Sequence, residues 1–370
     1  MSYIWENSNW PQFEIDMSHI QKEYENFIYQ KGRTDQIFTL LSSPLKDDFI
    51  LNSFTSEIVS SNEIEGISIS FDSVYSSAIK ALEINKQSSI KKNKMAEEVV
   101  ALLLDARNTT IPLTEKRVLA WHKKLFNTAI SKTHQVNKGQ YREKPVYIMK
   151  ITVKLHEEVL YEGVPANMLK KEMSSFFLWI NNQPTNLPPL AISAIASLWF
   201  VSIHPFEDGN GRISRLISDA IIAKYISLPY LSVSSEILKN KKEYYDILYS
   251  VQHSSSMAVS EYVVWFIQLC TKALENVETI CRKKVALSFF MASLDPTEYN
   301  SREISVLYKL ASGTFNGKLT SAKWVKITKC QSATATRDLT HLCSKGILIK
   351  SDEGGRSCWY SLNPSILAKL

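Results

Sequence analysis

LAISAIASLWFVSI, residues Leu190–Ile203, runs directly into HPFEDGNGRISR, residues His204–Arg215. The first string is apolar nearly all round, which predicts a helix buried on every side. Three serines interrupt it, and it is too short to span a bilayer. Pro205 disfavours the helical region for the residue before it, so the buried helix stops at His204 and leaves an imidazole at its end. Phe206 is the residue expected to pin the following loop to the core.

Beyond that point the sequence reads as an anion site. Gly209 and Gly211 flank Asn210 and let backbone amides approach a ligand closely. They open onto a further helix, whose N-terminus favours negative charge. Arg212 and Arg215 fall on its first turns, where both can grip phosphate oxygens. Asp208 is an oxygen ligand placed for a phosphate-bound Mg²⁺. A phosphate cradle, one metal ligand and one candidate base suit phosphoryl or nucleotidyl transfer. The bland alternative is a connecting loop with a satisfied histidine and two solvated arginines. Nine contiguous matching residues plus Arg215 argue against it.

The stretch resembles the Fic motif, HPFx(D/E)GNGRxxR, at every specified position. The resemblance implies a protein adenylyltransferase that moves AMP from ATP onto a target hydroxyl and releases pyrophosphate. On it, His204 is the catalytic base and Asp208 holds Mg²⁺ on the α- and β-phosphates. Gly209, Asn210 and Gly211 form an anion hole, Arg212 binds the phosphate chain, and Arg215 holds the γ-phosphate. Tyr244 and Tyr245 sit where related sequences place adenine contacts, although an aromatic pair is also ordinary core.

Two further stretches take meaning from the same resemblance. Ser61-x-x-x-Glu65-Gly66 fits the inhibitory pattern (S/T)xxxE(G/N), in which Glu65 takes the place meant for the γ-phosphate at Arg215. Its alternative is a solvated carboxylate at a helix end. Gly139–Ile148 resembles a target-binding flap, with Val146, Tyr147 and Ile148 positioned to register an added strand. Val146 and Ile148 share one face.

Around this centre the pattern is helical. Ile20, Tyr24, Phe27 and Ile28 predict one helix after an aromatic lead-in of Trp5, Trp10 and Phe13. Ile50, Phe54 and Ile58 line a second over about 45–65, stopped by Gly66. Others are expected over Ala96–Arg107, Glu115–Phe126 and Leu169–Ile180. From Ser301 on, three helices precede strands over Gly346–Lys350 and Ser357–Tyr360, with a turn at 352–356. That order is a winged helix-turn-helix plan, with Thr334, Arg337, Thr340 and His341 facing outward on the recognition helix. The fold class expected is mainly α: a helical bundle of Fic type with a small β-hairpin flap, plus the C-terminal winged helix. The expected division is 1–95 (N-terminal module carrying the inhibitory helix), 96–285 (catalytic) and 286–370.

Of the 370 residues, 45% are hydrophobic and 22% charged, ordinary for a globular protein. The net charge of +6 is concentrated after Ser301, which suggests an acidic partner for that part, DNA among the candidates. Five cysteines with no CxxC pair read as reduced thiols, and no leader or membrane segment is recognised, so a cytoplasmic location is expected. Automodification and a homodimer are further expectations. The competing functions are a hydrolase that uses Glu65 to remove AMP, and a DNA-binding regulator that senses ATP. Transfer of UMP or GMP also stays open.

Overall fold

A computed structural model describes residues 3–84, 93–127, 136–151, 157–182, 186–353 and 358–367. The chain is mainly helical and divides into two compact units, Met1–Thr34 with Ser43–Val277, and Asp35–Ser42 with Glu278–Leu370. Most of the N-terminal 95 residues thus pack in one unit with the helices that follow them.

The first unit opens with α1 (Met17–Thr39), α2 (Ser43–Ile64) and α3 (Phe71–Ala81). Then come α4 (Lys94–Ala106) and α5 (Glu115–Leu125). Asn93 caps α4 and Thr114 caps α5 through their side chains, as small polar residues at those positions should. A hairpin of β1 (Tyr147–Ile151) and β2 (Glu157–Glu162) follows, then α6 (Leu169–Asn181), α7 (Pro189–Ile203) and α8 (Asn210–Tyr225). The unit is completed by α9 (Val233–Lys239), α10 (Lys241–Gln252) and the first part of α11 (Ser260–Ala292).

α7 is the axis of the core. Every residue from Leu190 to Ile203 is buried. Its three serines are satisfied laterally rather than by solvent. Ser193 and Ser197 pair with the hydroxyls of Ser218 and Ser214 on α8, each at 2.8 Å, and Ser202 accepts from Gln252 at 3.2 Å. Small side chains on both helices let α8 lie close along α7, which brings the start of α8 beside the end of α7. Phe176, Phe200 and Phe206 fill the space around that junction with no exposed surface.

β1 and β2 pair antiparallel, Tyr147 opposite Glu162 and Ile148 opposite Tyr161, with a bulge between Ile148 and Met149. A bulge adds twist and re-aims the strand beyond it. Val146 and Ile148 are half-buried while Tyr147 and Met149 are exposed, the alternation a half-covered strand requires.

The second unit carries α12 (Ser301–Ala311), α13 (Ser321–Thr328) and α14 (Ser332–Ser344), with β3 (Leu348–Lys350) paired antiparallel to β4 (Tyr360–Leu362). Trp324, Leu339 and Leu342 form its core. Thr320 caps α13 as its position suggested. Two expectations are corrected. The second strand begins at Tyr360, where 357–360 had been expected, because Leu362 must meet Leu348 in the core. Arg337 and Thr340 are exposed on α14, but His341 is drawn inward, its Nδ1 2.8 Å from the buried carboxylate of Glu303. That carboxylate closes a capping box with Asn300 and needs the extra donor. The turn expected at 352–356 lies mostly outside the described residues.

Candidate active site

His204 leaves α7 in the left-handed region, φ 53° and ψ 59°, rather than in the extended region that Pro205 alone would favour. A non-glycine residue held there costs about 1–3 kcal/mol and persists only where its surroundings over-determine it. Here they do. His204 N donates to Phe200 O at 3.1 Å, and Arg142 Nε donates to His204 O at 2.8 Å. Nδ1 faces Val201 O at 3.0 Å. A carbonyl only accepts, so the proton of the neutral ring sits on Nδ1 and the Nε2 lone pair is left for chemistry. Burial, opposed by the Val201 bond and reinforced by the Arg142 charge, lowers His204 to about 4.

The loop after it is stapled from within. Asn210 is buried and its amide clasps Phe206 from both sides, accepting from Phe206 N at 2.9 Å and donating to Phe206 O at 2.8 Å. The side chain of Asn210 therefore shapes the loop, and only its backbone amide faces the head of α8. Phe206 in turn stacks on His122 of α5, with ring centres 3.9 Å apart. Gly139 N donates to His122 Nδ1 at 2.9 Å, which puts the proton on Nε2 to bond Asp208 O at 3.1 Å. Gly209 takes φ 84°, the left-handed turn that lets α8 begin at once. The first amides of α8 lack intrahelical acceptors and form an anion-binding end.

Arg212 and Arg215, expected on the first turns of α8, are both buried. Two of the three guanidinium nitrogens of Arg215 are engaged by the end of α2 and the residue just beyond it, while Nη1 is buried without a hydrogen-bond partner among the described residues. Its Nη2 donates to Glu65 Oε1 at 2.7 Å and to Ser61 O at 2.7 Å, and its Nε to Ser61 Oγ at 2.9 Å. Gly211 is what allows this approach, since a Cβ there would collide with Glu65 Oε1. Burial acts to raise the Glu65 carboxyl, but the Arg215 charge and hydrogen bond outweigh it and hold it below its ordinary value. Gly66, with φ 74°, ends the segment beyond α2.

Asp208 keeps an outward carboxylate, 55% exposed, with Arg212 Nη2 3.4 Å away. Among the described residues no cluster of three or more His, Cys, Asp or Glu could hold a metal alone. A single hard oxygen donor beside an anion site fits Mg²⁺, which takes one or two carboxylates and completes its shell with phosphates and water.

These residues open on a cavity of about 780 Å³. Val146, Tyr147 and Ile148 form one wall, and Tyr244 and Tyr245 another. Tyr244 is buried and stacks on Trp265 at 5.8 Å, while Tyr245 is 41% exposed. Glu65, His204, Asp208, Gly209, Asn210 and Gly211 line the same space, whereas Ser61, Arg212 and Arg215 line a separate small cavity behind it.

Three contributors were not legible beforehand. His122 sits in a helix whose pattern looked merely amphipathic. Arg142 is 2% exposed and spends its guanidinium on carbonyls of His204, Lys144 and Val164. Gly163 makes room for it, because a Cβ there would lie 2.8 Å from Arg142 Nη2 and 2.9 Å from His204 Cβ. Glu57, also on α2, accepts from Ser234 N at 2.9 Å and Ser232 Oγ at 3.0 Å and so caps α9 from outside. Arg142 lies within the stretch Gly139–Ile148 read as the flap, where nothing in the sequence marked it out.

Residues 112–222 match the family model described as Fic/DOC family, and residues 3–84 match one described as a domain of unknown function (DUF4172). A protein adenylyltransferase Fic from Nematostella vectensis is 24% identical over 224 residues, 60% of this chain and 49% of that protein. Protein adenylyltransferase fic-1 from Caenorhabditis briggsae is 30% identical over 108 residues, 29% of this chain and 18% of its own. The chain thus spans half or less of the length of these relatives. Among solved structures, a Fic family protein from Desulfovibrio desulfuricans covers 91% of this chain and 95% of its own at 18% identity, with a TM-score of 0.50. Fic-1 (residues 134–508) from C. elegans covers 74% of each at 19% identity, also with a TM-score of 0.50. These two likenesses bear on the fold.

Proposed function

We propose, on the premise that residues 112–222 are a Fic/DOC-family domain, that the chain is a protein adenylyltransferase held inactive by its own α2. The observation that carries the reading is the 2.7 Å pair of Glu65 with Arg215 at the head of an anion-binding helix, beside a histidine whose Nε2 is unprotonated.

In the reaction proposed, the triphosphate of ATP lies along the first turn of α8. The backbone amides of Asn210 and Gly211 and the guanidinium of Arg212 are proposed to face its oxygens, and the Gly209 amide, which donates to Asp208 Oδ1, would join them once that carboxylate turns to Mg²⁺. Asp208 would hold Mg²⁺, which neutralises phosphate charge when bound. A target hydroxyl, aligned by Val146, Tyr147 and Ile148, gives its proton to His204 Nε2 as its oxygen attacks the α-phosphorus. The bond to the bridging oxygen breaks, pyrophosphate leaves, AMP stays on the target, and His204 returns the proton to solvent. Tyr245, with Tyr244 behind it, is the proposed wall for the base.

Inhibition follows from competition. While Glu65 occupies Arg215, the γ-phosphate lacks its partner and the α-phosphorus is not presented in line. The second unit is proposed as a winged helix whose exposed Arg337 and Thr340 favour an acidic partner.

The test incubates wild-type and Glu65→Gly protein with Mg²⁺ and ATP labelled at the α or the γ position. Protein label from the α position alone, stronger in the variant, is the expected result. Label from the γ position, or none in either protein, would overturn the reading.

A further inference from the structure

The region matched as a domain of unknown function does more than deliver α2. Its first residues form a strap pinned across the catalytic unit at both ends. At the near end, Trp5 Nε1 donates to Glu162 O at 2.8 Å. Glu162 is the last residue of β2 and the register partner of Tyr147. Tyr3 stands edge-on to Tyr161 of β2, with ring centres 5.2 Å apart, and edge-on to His253 at 5.4 Å. Between them Ile4 is fully buried, and Asn7 Nδ2 donates to Ser255 O at 2.7 Å. At the far end, Trp10 Nε1 donates to Glu172 Oε2 at 2.8 Å, and the rings of Trp10 and Phe13 stand edge-on to Trp199 of α7. Glu14 then closes two backbone bonds, donating to Met257 O at 2.9 Å and accepting from Val259 N at 3.1 Å.

A two-stranded hairpin is marginal on its own and takes its position from what it leans on. The strap supplies the support on the β2 side. β1, with exposed Tyr147 and Met149, keeps its outer edge unpaired among the described residues. An unpaired edge is where an extended segment adds as a further strand.

We infer that the strap is a positioning element for the hairpin: Trp5, acting through Glu162, sets the angle at which β1 offers its edge to an extended polypeptide beside His204. The inference rests on the transferase reading of the cavity and extends it to a segment with no contact to nucleotide. Trp5 is a positioning residue, not a catalytic one. The strap leads directly into α1 and α2, so one N-terminal region holds the hairpin from outside and Arg215 from within.

The experiment uses the full chain carrying Glu65→Gly, with Trp5→Phe added to remove the indole donor and keep a ring. Trp5→Ala serves as a second variant. Three quantities are measured: amide hydrogen exchange over 147–151 and 157–162, affinity for a fluorescent ATP analogue with Mg²⁺, and α-label transfer to protein. Trp5→Phe is expected to speed hairpin exchange by about fivefold to tenfold, the worth of one hydrogen bond. Nucleotide affinity should stay within about twofold, and transfer should fall by about the factor by which exchange rises. Unchanged hairpin exchange in both variants would overturn the inference. So would unchanged transfer from a loosened hairpin, or nucleotide affinity falling in step with transfer. If Glu65→Gly alone transfers no label, the transferase reading fails, and the exchange measurement still decides whether the strap holds the hairpin.

Discussion

Glu57 and Glu65 lie about two turns apart along α2 and its end, and they hold different parts of the first unit. Glu57 caps α9 through Ser232 and Ser234, and Glu65 closes on Arg215. The helix proposed to block the site is therefore also fastened to the segment leading into α10, which carries Tyr244 and Tyr245.

Removing the carboxylate of Glu65 should free Arg215 without disturbing the rest of α2. A charge-assisted hydrogen bond contributes about 1.5–3 kcal/mol, so Glu65→Gly should raise α-label transfer by on the order of 10- to 100-fold. Glu65→Gln should fall between the two. Equal rates in all three proteins would remove Glu65 from any inhibitory role.

Loosening the other fastening should act in the same direction while Glu65 stays intact. Glu57→Ala strips the first turn of α9 of its cap, a loss of roughly 1–2 kcal/mol. Basal transfer should rise by several-fold, and exchange should quicken at the amides of Ser234 and its neighbours. Protection at α9 that does not change would mean the cap is dispensable.

The pH dependence has a defined sign. His204 lies near 4 in the folded chain, with Arg142, Glu65 and Asp208 as its charged neighbours, against 6.5 for an ordinary histidine. Between those values the unfolded chain binds more protons than the folded one. This contribution is complete above about 6.5 and is lost as pH falls toward 4, by about 1–3 kcal/mol. Urea midpoints from pH 4 to 8 should slope more steeply in the wild type than in His204→Asn. The transfer rate, for its part, should stay flat down to about pH 5, since the base is neutral throughout.

Arg142 should separate catalysis from binding. Its guanidinium fixes the His204 carbonyl and both flanks of the hairpin, and Arg142 is not itself among the residues lining the cavity. In the Glu65→Gly background, Arg142→Ala should lower kcat by on the order of 100-fold and change KM for ATP far less. Stability should drop by about 2–4 kcal/mol, since several buried carbonyls lose their donor. A proportional rise in KM would assign Arg142 to nucleotide binding instead.

The parts of this site that were legible beforehand share one property: their meaning lies within a short run of sequence. Leu190–Ile203 declares a buried helix by composition, and His204–Arg215 declares an anion site by spacing. Ser61 and Glu65 were legible as a pattern, and the structure brings them onto Arg215. What stayed hidden depends on partners distant in the chain. Arg142 bonds to carbonyls, which every residue has, so no residue type announces the pairing. His341 looked like an outward recognition residue because its helical phase permits it. Its partner Glu303 was read only as part of another helix. That the Asn210 side chain staples the loop was not legible, since its two partners are the backbone N–H and carbonyl of Phe206, which no residue type announces.

Ser61 and Glu65 are spaced by about one turn, with Glu57 another turn earlier, so the helix acts as a measure of angle rather than of length. Deleting any one residue between Ser61 and Glu65 leaves composition and hydropathy nearly as they were. It would nonetheless swing the carboxylate by about 100° away from Arg215 while Glu57 stays seated. The Glu65–Arg215 pairing is thus written in phase, and a frame slip of one residue erases it more completely than many changes of residue type.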